Sequence, residues 1–584
     1  MYNLICTTLL VETSPQGLPL GAACIASSIK SDCRTKDSFS VSLVDFSLED
    51  KEIIAAKNSG GNQKLAVFLA KKLASKNPDF VCFSVYVWNR VVLEKTCLEL
   101  KKLLPDCVCI AGGPEVTADP LSFNSFDFMI AGQGERAMVE LLEKLLRDSA
   151  QNGIYEQGRA FGVQGVYEKQ ISPRASLTQI DNQIIRACPF PPDMTYSPYL
   201  DGTLDAAKYG GVLWELARGC PFKCSYCYES KGEKKIAYFP MERLEKEIEL
   251  FARKKISQVF VLDPTYNASK ERAIKMLKII EKKAPGMFFY FEARAEFIDR
   301  ELAHAFSRIP CCLQIGLQSA NPEVLKNVHR TLDKKRFVKN IGFLNDEGVT
   351  FGFDLIYGLP GDTFDGFCES IDFALSLYPN NLELFCLSVL PGTDLHDDAN
   401  AFGMEWEKIP PYHVLKTPRF SAADLEKAKK LAEATNLFYT KGRAVAWFNS
   451  VLYVLKEKPS EFLKRFEEFY QERSASSLRA KQNNPLFLND KQIEGLQLSF
   501  IQKRFHESNK DRFFSATEDL IRLHSALGRC TFDGTESTLS MHYHPDDVMS
   551  EYGTDIEFFT ENCGKQSCRV HVFVGKNGAD WKCL

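Results

Sequence analysis

Twice along this 584-residue chain, short apolar runs alternate with helix-period stretches, and glycine or polar clusters mark where the apolar runs end. In the first stretch the apolar runs fall at 2–10, 39–46, 79–86, 108–113 and 126–131. Segments at 18–30, 63–76, 89–104 and 135–147 carry helical periodicity between them. That order predicts an α/β, doubly wound parallel sheet, with its ligand crevice beyond the carboxyl ends of the strands. The strand ends read Ser84-Val85-Tyr86-Val87-Trp88-Asn89, Ala111-Gly112-Gly113-Pro114-Glu115 and Ala131-Gly132-Gln133-Gly134-Glu135. Glycine there lets backbone approach a bulky ligand, and a helix N-terminus offers free N–H groups to a phosphate. Taken alone, these loops also suit a flavodoxin-like domain for some other ligand.

The second alternation has apolar runs at 212–217, 258–263, 287–293, 312–317, 350–357 and 383–389, with helices between them at 241–254 and from about Ser269. Six such units predict a partial (β/α) barrel with its chemistry at the C-terminal strand ends. Its first strand runs into Leu216-Ala217-Arg218-Gly219-Cys220-Pro221-Phe222-Lys223-Cys224-Ser225-Tyr226-Cys227. Three thiolates at CxxxCxxC spacing can hold three irons of a four-iron cluster. The next cysteines, Cys311 and Cys312, lie far along the chain. The fourth iron is then open to a substrate or cofactor. A zinc knuckle or redox thiols is the alternative, although a zinc site usually pairs CxxC with a second ligand pair, and none stands near.

With Tyr226 just before the third cysteine, this run resembles the cluster motif of the radical S-adenosylmethionine (radical SAM) superfamily. The upstream loops resemble the cobalamin-binding domain of its cobalamin-dependent branch, and the match extends over most of residues 1–415. The resemblance implies that Cys220, Cys224 and Cys227 hold a 4Fe-4S cluster whose fourth iron S-adenosylmethionine chelates. It places Tyr226 by that cofactor, Asp263, Thr265 and Asn267 near its amino group, and Glu292 and Arg294 toward its ribose and carboxylate. Gln318 and Ser319 become ribose neighbours, and Tyr357 passes the adenine. Ser84, Tyr86, Trp88, Gly112, Gly113, Pro114, Gly132, Gly134 and Glu135 become cobalamin contacts. Each side chain can equally serve structure: Glu292 and Arg294, two apart on a strand, share a face and can pair with each other. All histidines lie at or beyond His304 and no DxHxxG run occurs, so the first domain has no imidazole to place under cobalt. A donor ligand stabilises the oxidised metal, so its absence eases reduction to Co(I).

The implied activity is methyl transfer to an unactivated carbon or a phosphorus, through a 5′-deoxyadenosyl radical and methylcobalamin. A rearrangement or cyclisation with the same cofactors is the nearer rival, and a non-catalytic cobalamin or redox sensor the remoter one. No side chain stands out as a general base. The expected partners are a small-molecule or peptide substrate and a reductant such as flavodoxin or ferredoxin. A net charge of −4 gives no footprint for nucleic acid or an acidic membrane, and 19 irregularly spaced cysteines do not read as a disulfide framework. The start has no basic n-region and no apolar run reaches the roughly 20 residues of a bilayer span, so a cytoplasmic setting is expected.

The expected organisation is a cobalamin-binding domain at 1–150, a linker at 151–205, the barrel at 206–415 and a mainly helical extension at 416–584. Ile171-Ser172-Pro173-Arg174 and Pro189-Phe190-Pro191-Pro192 interrupt the linker. The extension resembles an uncharacterised one carried by one branch of the family. Helices are expected at 422–435, 443–455 and 460–470, a polar loop at 474–484 and a β-hairpin at 567–574. His542, His544, Cys563, Cys568, His571 and Cys583 invite a second metal site, but their spacings match no ligand template.

Overall fold

The computed structural model describes residues 1–152, 162–169, 184–229, 235–476, 488–576 and 578–584. Its first sheet is built around β1 (Tyr2–Leu10), whose residues from Leu4 to Leu10 are all buried. A strand covered on both faces is mostly apolar, which is why this run does not alternate; Thr7 and Thr8 are its buried polar residues. Beside β1 lie β2 (Phe39–Ser47) and β3 (Phe80–Ser84), followed by β4 (Val108–Gly112), β5 (Phe128–Ile130) and β6 (Val166–Glu168). The spatial order is β2-β1-β3-β4-β5-β6, with β6 antiparallel to β5 and the other pairs parallel. The chain reverses its direction of winding between β1 and β3, where such sheets open their crevice.

The helices of this domain are α1 (Leu20–Ser31), α2 (Lys51–Asn58), α3 (Gly61–Ala74), α4 (Arg90–Leu103), α5 (Pro114–Ala118) and α6 (Gly134–Asn152). Small residues Ala22, Ala23 and Ala26 bury one side of α1 close to the sheet. Two expectations are corrected here. Helix α2 was not anticipated, because only Ile53 of its eight residues is buried and it shows little apolar stripe. The expected linker is not free of structure: β6 extends the first sheet, and Ala187 bridges to Gly132. Residues 171–174 lie outside the described residues.

In the second unit, β7 (Gly211–Trp214) leads to a short antiparallel pair, β8 (Ala217–Arg218) with β9 (Ala237–Tyr238), which brackets the cysteine loop. Then come β10 (Gln258–Val261), β11 (Phe288–Ala293), β12 (Cys311–Gln318), β13 (Thr350–Tyr357) and β14 (Asn381–Cys386). The order β14-β13-β12-β11-β10-β7 is parallel throughout, an open six-stranded barrel wall.

Beyond Trp406, part of the small pair β15 (Glu405–Trp406) and β16 (Val414–Lys416), the chain becomes helical. Helices run over Ala422–Thr435, Phe448–Leu455, Pro459–Ser476, Asp490–Glu507 and Phe514–Asp533, and the Phe438 ring meets those of Trp447, Phe448, Phe462, Phe466 and Phe500. Their core is continuous with that of the barrel, and the Tyr439 hydroxyl donates to Pro379 O at 2.6 Å. The helix expected at 443–455 is split at Trp447 into a single 3-10 turn, Ala444–Ala446, and the helix Phe448–Leu455. The expected loop at 474–484 begins inside a helix that runs to Ser476, and residues 477–484 lie outside the described residues. The segment expected as a hairpin is instead one strand, β18 (Cys568–Gly575), between β17 (Ser537–Met541) and β19 (Gly578–Cys583). No helix among the described residues is long and apolar enough to cross a membrane.

Candidate functional site

A cavity of about 1140 Å³ opens where the winding reversal of the first sheet faces the carboxyl end of the barrel. All nine residues expected around cobalamin line it: Ser84, Tyr86, Trp88, Gly112, Gly113, Pro114, Gly132, Gly134 and Glu135. The barrel closes the other side with Leu213, Glu215, Arg218, Tyr228, Glu229, Leu262 and Glu292.

Local chemistry explains the shape of the first-domain wall. Gly113 has φ +107°, and a Cβ there would stand 2.5 Å from the Val85 carbonyl oxygen. Gly132 has φ +101°, with a Cβ 2.9 Å from Ala187 N. Any other residue at either position would be strained and would push the loop into the cavity. The aromatic loop is pinned by buried Asn89, which accepts from Tyr86 N at 2.8 Å and donates to Thr8 Oγ1 and Leu9 O, both at 3.1 Å. Tyr86 and Trp88 stack at 4.6 Å, and the Trp88 indole N–H donates to Leu9 O. Of the two glutamates that end the glycine loops, Glu135 faces the cavity and Glu115 does not. Glu135 pairs with Arg218 at 2.8 Å, and Arg218 pairs with Glu215 at 3.0 Å, joining the first domain to the barrel across the cavity wall.

On the barrel side, Asp263 sets the entry to the cysteine loop. Its Oδ1 accepts the N–H groups of Leu216 and Ala217, both at 2.9 Å. Burial pushes its carboxyl up to about 7, against the pull of those two bonds. Thr265 donates to Pro264 O and lies 3.9 Å from Cys220 Sγ. Burial pushes the Cys227 thiol up to about 12, so a thiolate there needs a metal to hold it. The Arg330 guanidinium, a residue the sequence did not single out, donates to the Tyr226 hydroxyl at 3.2 Å and faces Cys224 Sγ at 3.9 Å. It also donates to the Gly316 carbonyl. Its Nε has no partner. Among the described residues no three His, Cys, Asp or Glu side chains close on a single-ion site.

Gln318 has φ +67°, at a register shift in β12, and its amide lies where a Cβ on Gly316 would be. Its buried Oε1 has no protein partner, an acceptor left for a ligand. Asp354, also missed in the sequence, accepts from Gln314 and is pushed up to about 6 by burial. Glu292 is pushed up to about 7 by burial, with Asp354 and Glu229 adding to the shift. Other expected contacts are spoken for within the protein. Asn267 exchanges two 2.9 Å hydrogen bonds with the backbone of Arg294. Arg294 lies over the Phe222 ring and pairs with Glu296 at 2.6 Å, not with Glu292. Ser319 accepts from Asn321 N, and Tyr357 is buried against Phe367. Of the barrel's expected contacts only Glu292 lines the cavity.

The far C-terminal histidines and cysteines form no common centre, although Cys568 and His544 both neighbour Cys583. His544 Nε2 lies 3.3 Å from Cys583 Sγ, whereas His542 faces Glu518 and His571 faces Glu536.

Three family models match the chain: the B12 binding domain over residues 7–142, the radical SAM superfamily over 214–374, and a protein family of unknown function (DUF4080) over 400–489. A cobalamin-dependent radical SAM methyltransferase, TokK of Streptomyces tokunonensis, is 26% identical over 373 residues, covering 59% of this chain and 50% of TokK. A 2-(S-pantetheinyl)-carbapenam-3-carboxylate methyltransferase of Streptantibioticus cattleyicolor is 30% identical over 380 residues, covering 59% of this chain and 51% of its own. The chain thus spans about half the length of these curated relatives. Among solved structures, OxsB, a cobalamin-dependent S-adenosylmethionine radical enzyme with aqua-cobalamin bound, superposes with a TM-score of 0.55 at 12% identity, covering 87% of this chain and 80% of OxsB. TsrM from Kitasatospora setae, a radical S-adenosylmethionine methyltransferase with cobalamin and a [4Fe-4S] cluster bound, gives 0.52 at 16%, covering 73% and 85%. At such identities the likeness speaks for the fold. The chain thus carries a B12 binding domain and a radical SAM domain, and it is similar to cobalamin-dependent radical SAM enzymes.

Proposed function

We propose that this protein is a cobalamin-dependent radical SAM methyltransferase acting on an unactivated carbon or a phosphorus of a small-molecule or peptide substrate. The observation that carries this reading is the single cavity shared by the glycine loops of the first domain and the strand ends of the barrel. Hydrogen abstraction with one cofactor and methyl delivery from the other would require both to face one substrate, and proximity of that kind is the protein's main contribution.

The residues fit both cofactors. The left-handed glycines leave room for a wide, flat group where any Cβ would meet backbone, and the lining contains no histidine. Cys220, Cys224 and Cys227 would hold the cluster, with the Arg330 cation offsetting thiolate charge beside Cys224. The unpartnered Gln318 oxygen and the Glu292 carboxyl would take S-adenosylmethionine hydroxyl or ammonium donors. When bound, the cluster and S-adenosylmethionine supply a hydrogen-abstracting radical, and cobalamin supplies a methyl carrier. The polypeptide orients these groups: Asp263 fixes the cysteine loop, Asn89 fixes the aromatic loop, and the Glu135–Arg218–Glu215 bridge holds the two halves together.

Anaerobic reconstitution with iron, sulfide and hydroxocobalamin, with S-adenosylmethionine and a reductant such as flavodoxin or ferredoxin, tests the reading. Retained corrinoid with both 5′-deoxyadenosine and S-adenosylhomocysteine as products supports it. A substrate product heavier by one methylene identifies methyl transfer, and a mass-neutral product would replace it with a rearrangement. A protein that builds a cluster but retains no corrinoid would overturn it.

A further inference from the structure

The strand end Gly112-Gly113-Pro114 lines the cavity, and the next residue, Glu115, does not. Its carboxylate turns the other way and is buried, with 6% of the residue exposed. There it accepts the hydroxyl of Tyr412 at 2.7 Å and a guanidinium N–H of Arg90 at 3.2 Å. Arg90 also donates to the Tyr412 hydroxyl oxygen at 3.1 Å, closing a triangle of three buried or half-buried groups. The guanidinium rests on the Phe123 ring at 4.2 Å and reaches Glu94 and Ser122.

Glu115 and Arg90 belong to the first domain, but Tyr412 comes from far along the chain. It sits where the barrel hands over to the helical region, inside the segment matched by the family of unknown function. The strap carrying it is tied to the barrel exit: Val389 N donates to Tyr412 O at 2.9 Å, and Ser388 bridges to His413. Tyr412 is 3% exposed and has φ +62°, a left-handed conformation that strains a non-glycine residue. Such strain persists only where the surroundings over-determine it. Burial, reinforced by the Glu115 carboxylate, pushes the hydroxyl's pKa up, so it stays protonated and donates. The same strap presents Pro410 and Pro411 to the back of the loop bearing Trp88.

We propose that Tyr412 is a positioning residue for the cobalamin-binding loops, acting through Glu115 to set Gly112-Gly113-Pro114 against the barrel. The segment at the barrel exit, matched by the family of unknown function, thereby takes part in building the corrin pocket from outside it. This inference rests on the cobalamin reading above.

The test compares wild type, Tyr412→Phe, Glu115→Gln and the double variant in the full-length chain. Titration with hydroxocobalamin, read by its visible spectrum, gives affinity; iron content and melting temperature are measured on the same samples. A buried hydrogen bond to a charged group predicts about a tenfold weaker corrinoid affinity for Tyr412→Phe, with iron content unchanged. The double variant should lose little more than Glu115→Gln alone, because both act through one contact. Corrinoid affinity within twofold of wild type, additive losses, or iron content falling in parallel would overturn the proposal. Wild type that binds no corrinoid would instead overturn the cobalamin reading itself.

Discussion

The two walls of the cavity were built by different means. On the first-domain side every expected residue reaches the cavity, whereas on the barrel side only Glu292 does. The first wall carries backbone at Gly112, Gly113, Gly132 and Gly134, and at Gly113 and Gly132 its shape follows from left-handed φ values that favour glycine. The second is made of long polar side chains, and each can be captured by a neighbour. Asn267, Arg294 and Asp263 were captured by backbone or by Glu296, and Gln318 was left open. Backbone-shaped sites survive translation from sequence to structure better than side-chain sites do.

The largest test of this contrast removes the metal from the barrel side alone. Cys220→Ala, Cys224→Ala or Cys227→Ala should each reduce 5′-deoxyadenosine formation to background while corrinoid retention persists. Loss of corrinoid as well, measured by visible spectrum, would make the two walls one cooperative unit. Next in size, Gly113→Ala places a methyl 2.5 Å from Val85 O in a left-handed conformation, costing about 1–2 kcal/mol before the clash is counted. It should abolish or strongly weaken corrinoid binding and leave iron content intact; unaltered binding would remove the backbone argument. Smaller again, Arg330→Lys keeps the charge but loses the forked donation to Tyr226 and Gly316. The expected outcome is a rise of roughly tenfold in KM for S-adenosylmethionine with normal iron content. An unchanged KM would show that Arg330 only braces Gly316.

The smallest effect concerns Glu292. Its folded carboxyl titrates at about 7 against an ordinary 4.5, so the folded protein binds more protons than the unfolded chain between those values. Stability should therefore fall as pH rises through that window. Glu292→Gln, which mimics the protonated form, should flatten the decline in melting temperature. An equally steep decline in the variant would assign it to Asp263 or Asp354, whose carboxyls are also raised.

Much of the fold was legible because parallel strands buried on both faces leave long apolar runs, as β1 does, and because glycine and proline punctuate their ends. Helix α2 was missed because it buries a single side chain. Strand β6 was missed because three residues in a proline-interrupted stretch carry no period. Arg330 and Asp354 were not distinguishable in sequence from solvated charges. Only their burial beside Tyr226, Gly316 and Gln314 marks them.

The sequence by itself determined the spacing of Cys220, Cys224 and Cys227 and the glycine loops, because local spacing and backbone freedom are properties of neighbouring residues. Tertiary structure alone decided that Glu135 meets Arg218, that Glu115 meets Tyr412, and which carboxylates lose their water. Those contacts join residues far apart in the chain, and desolvation depends on what the whole fold packs around a group rather than on the group itself.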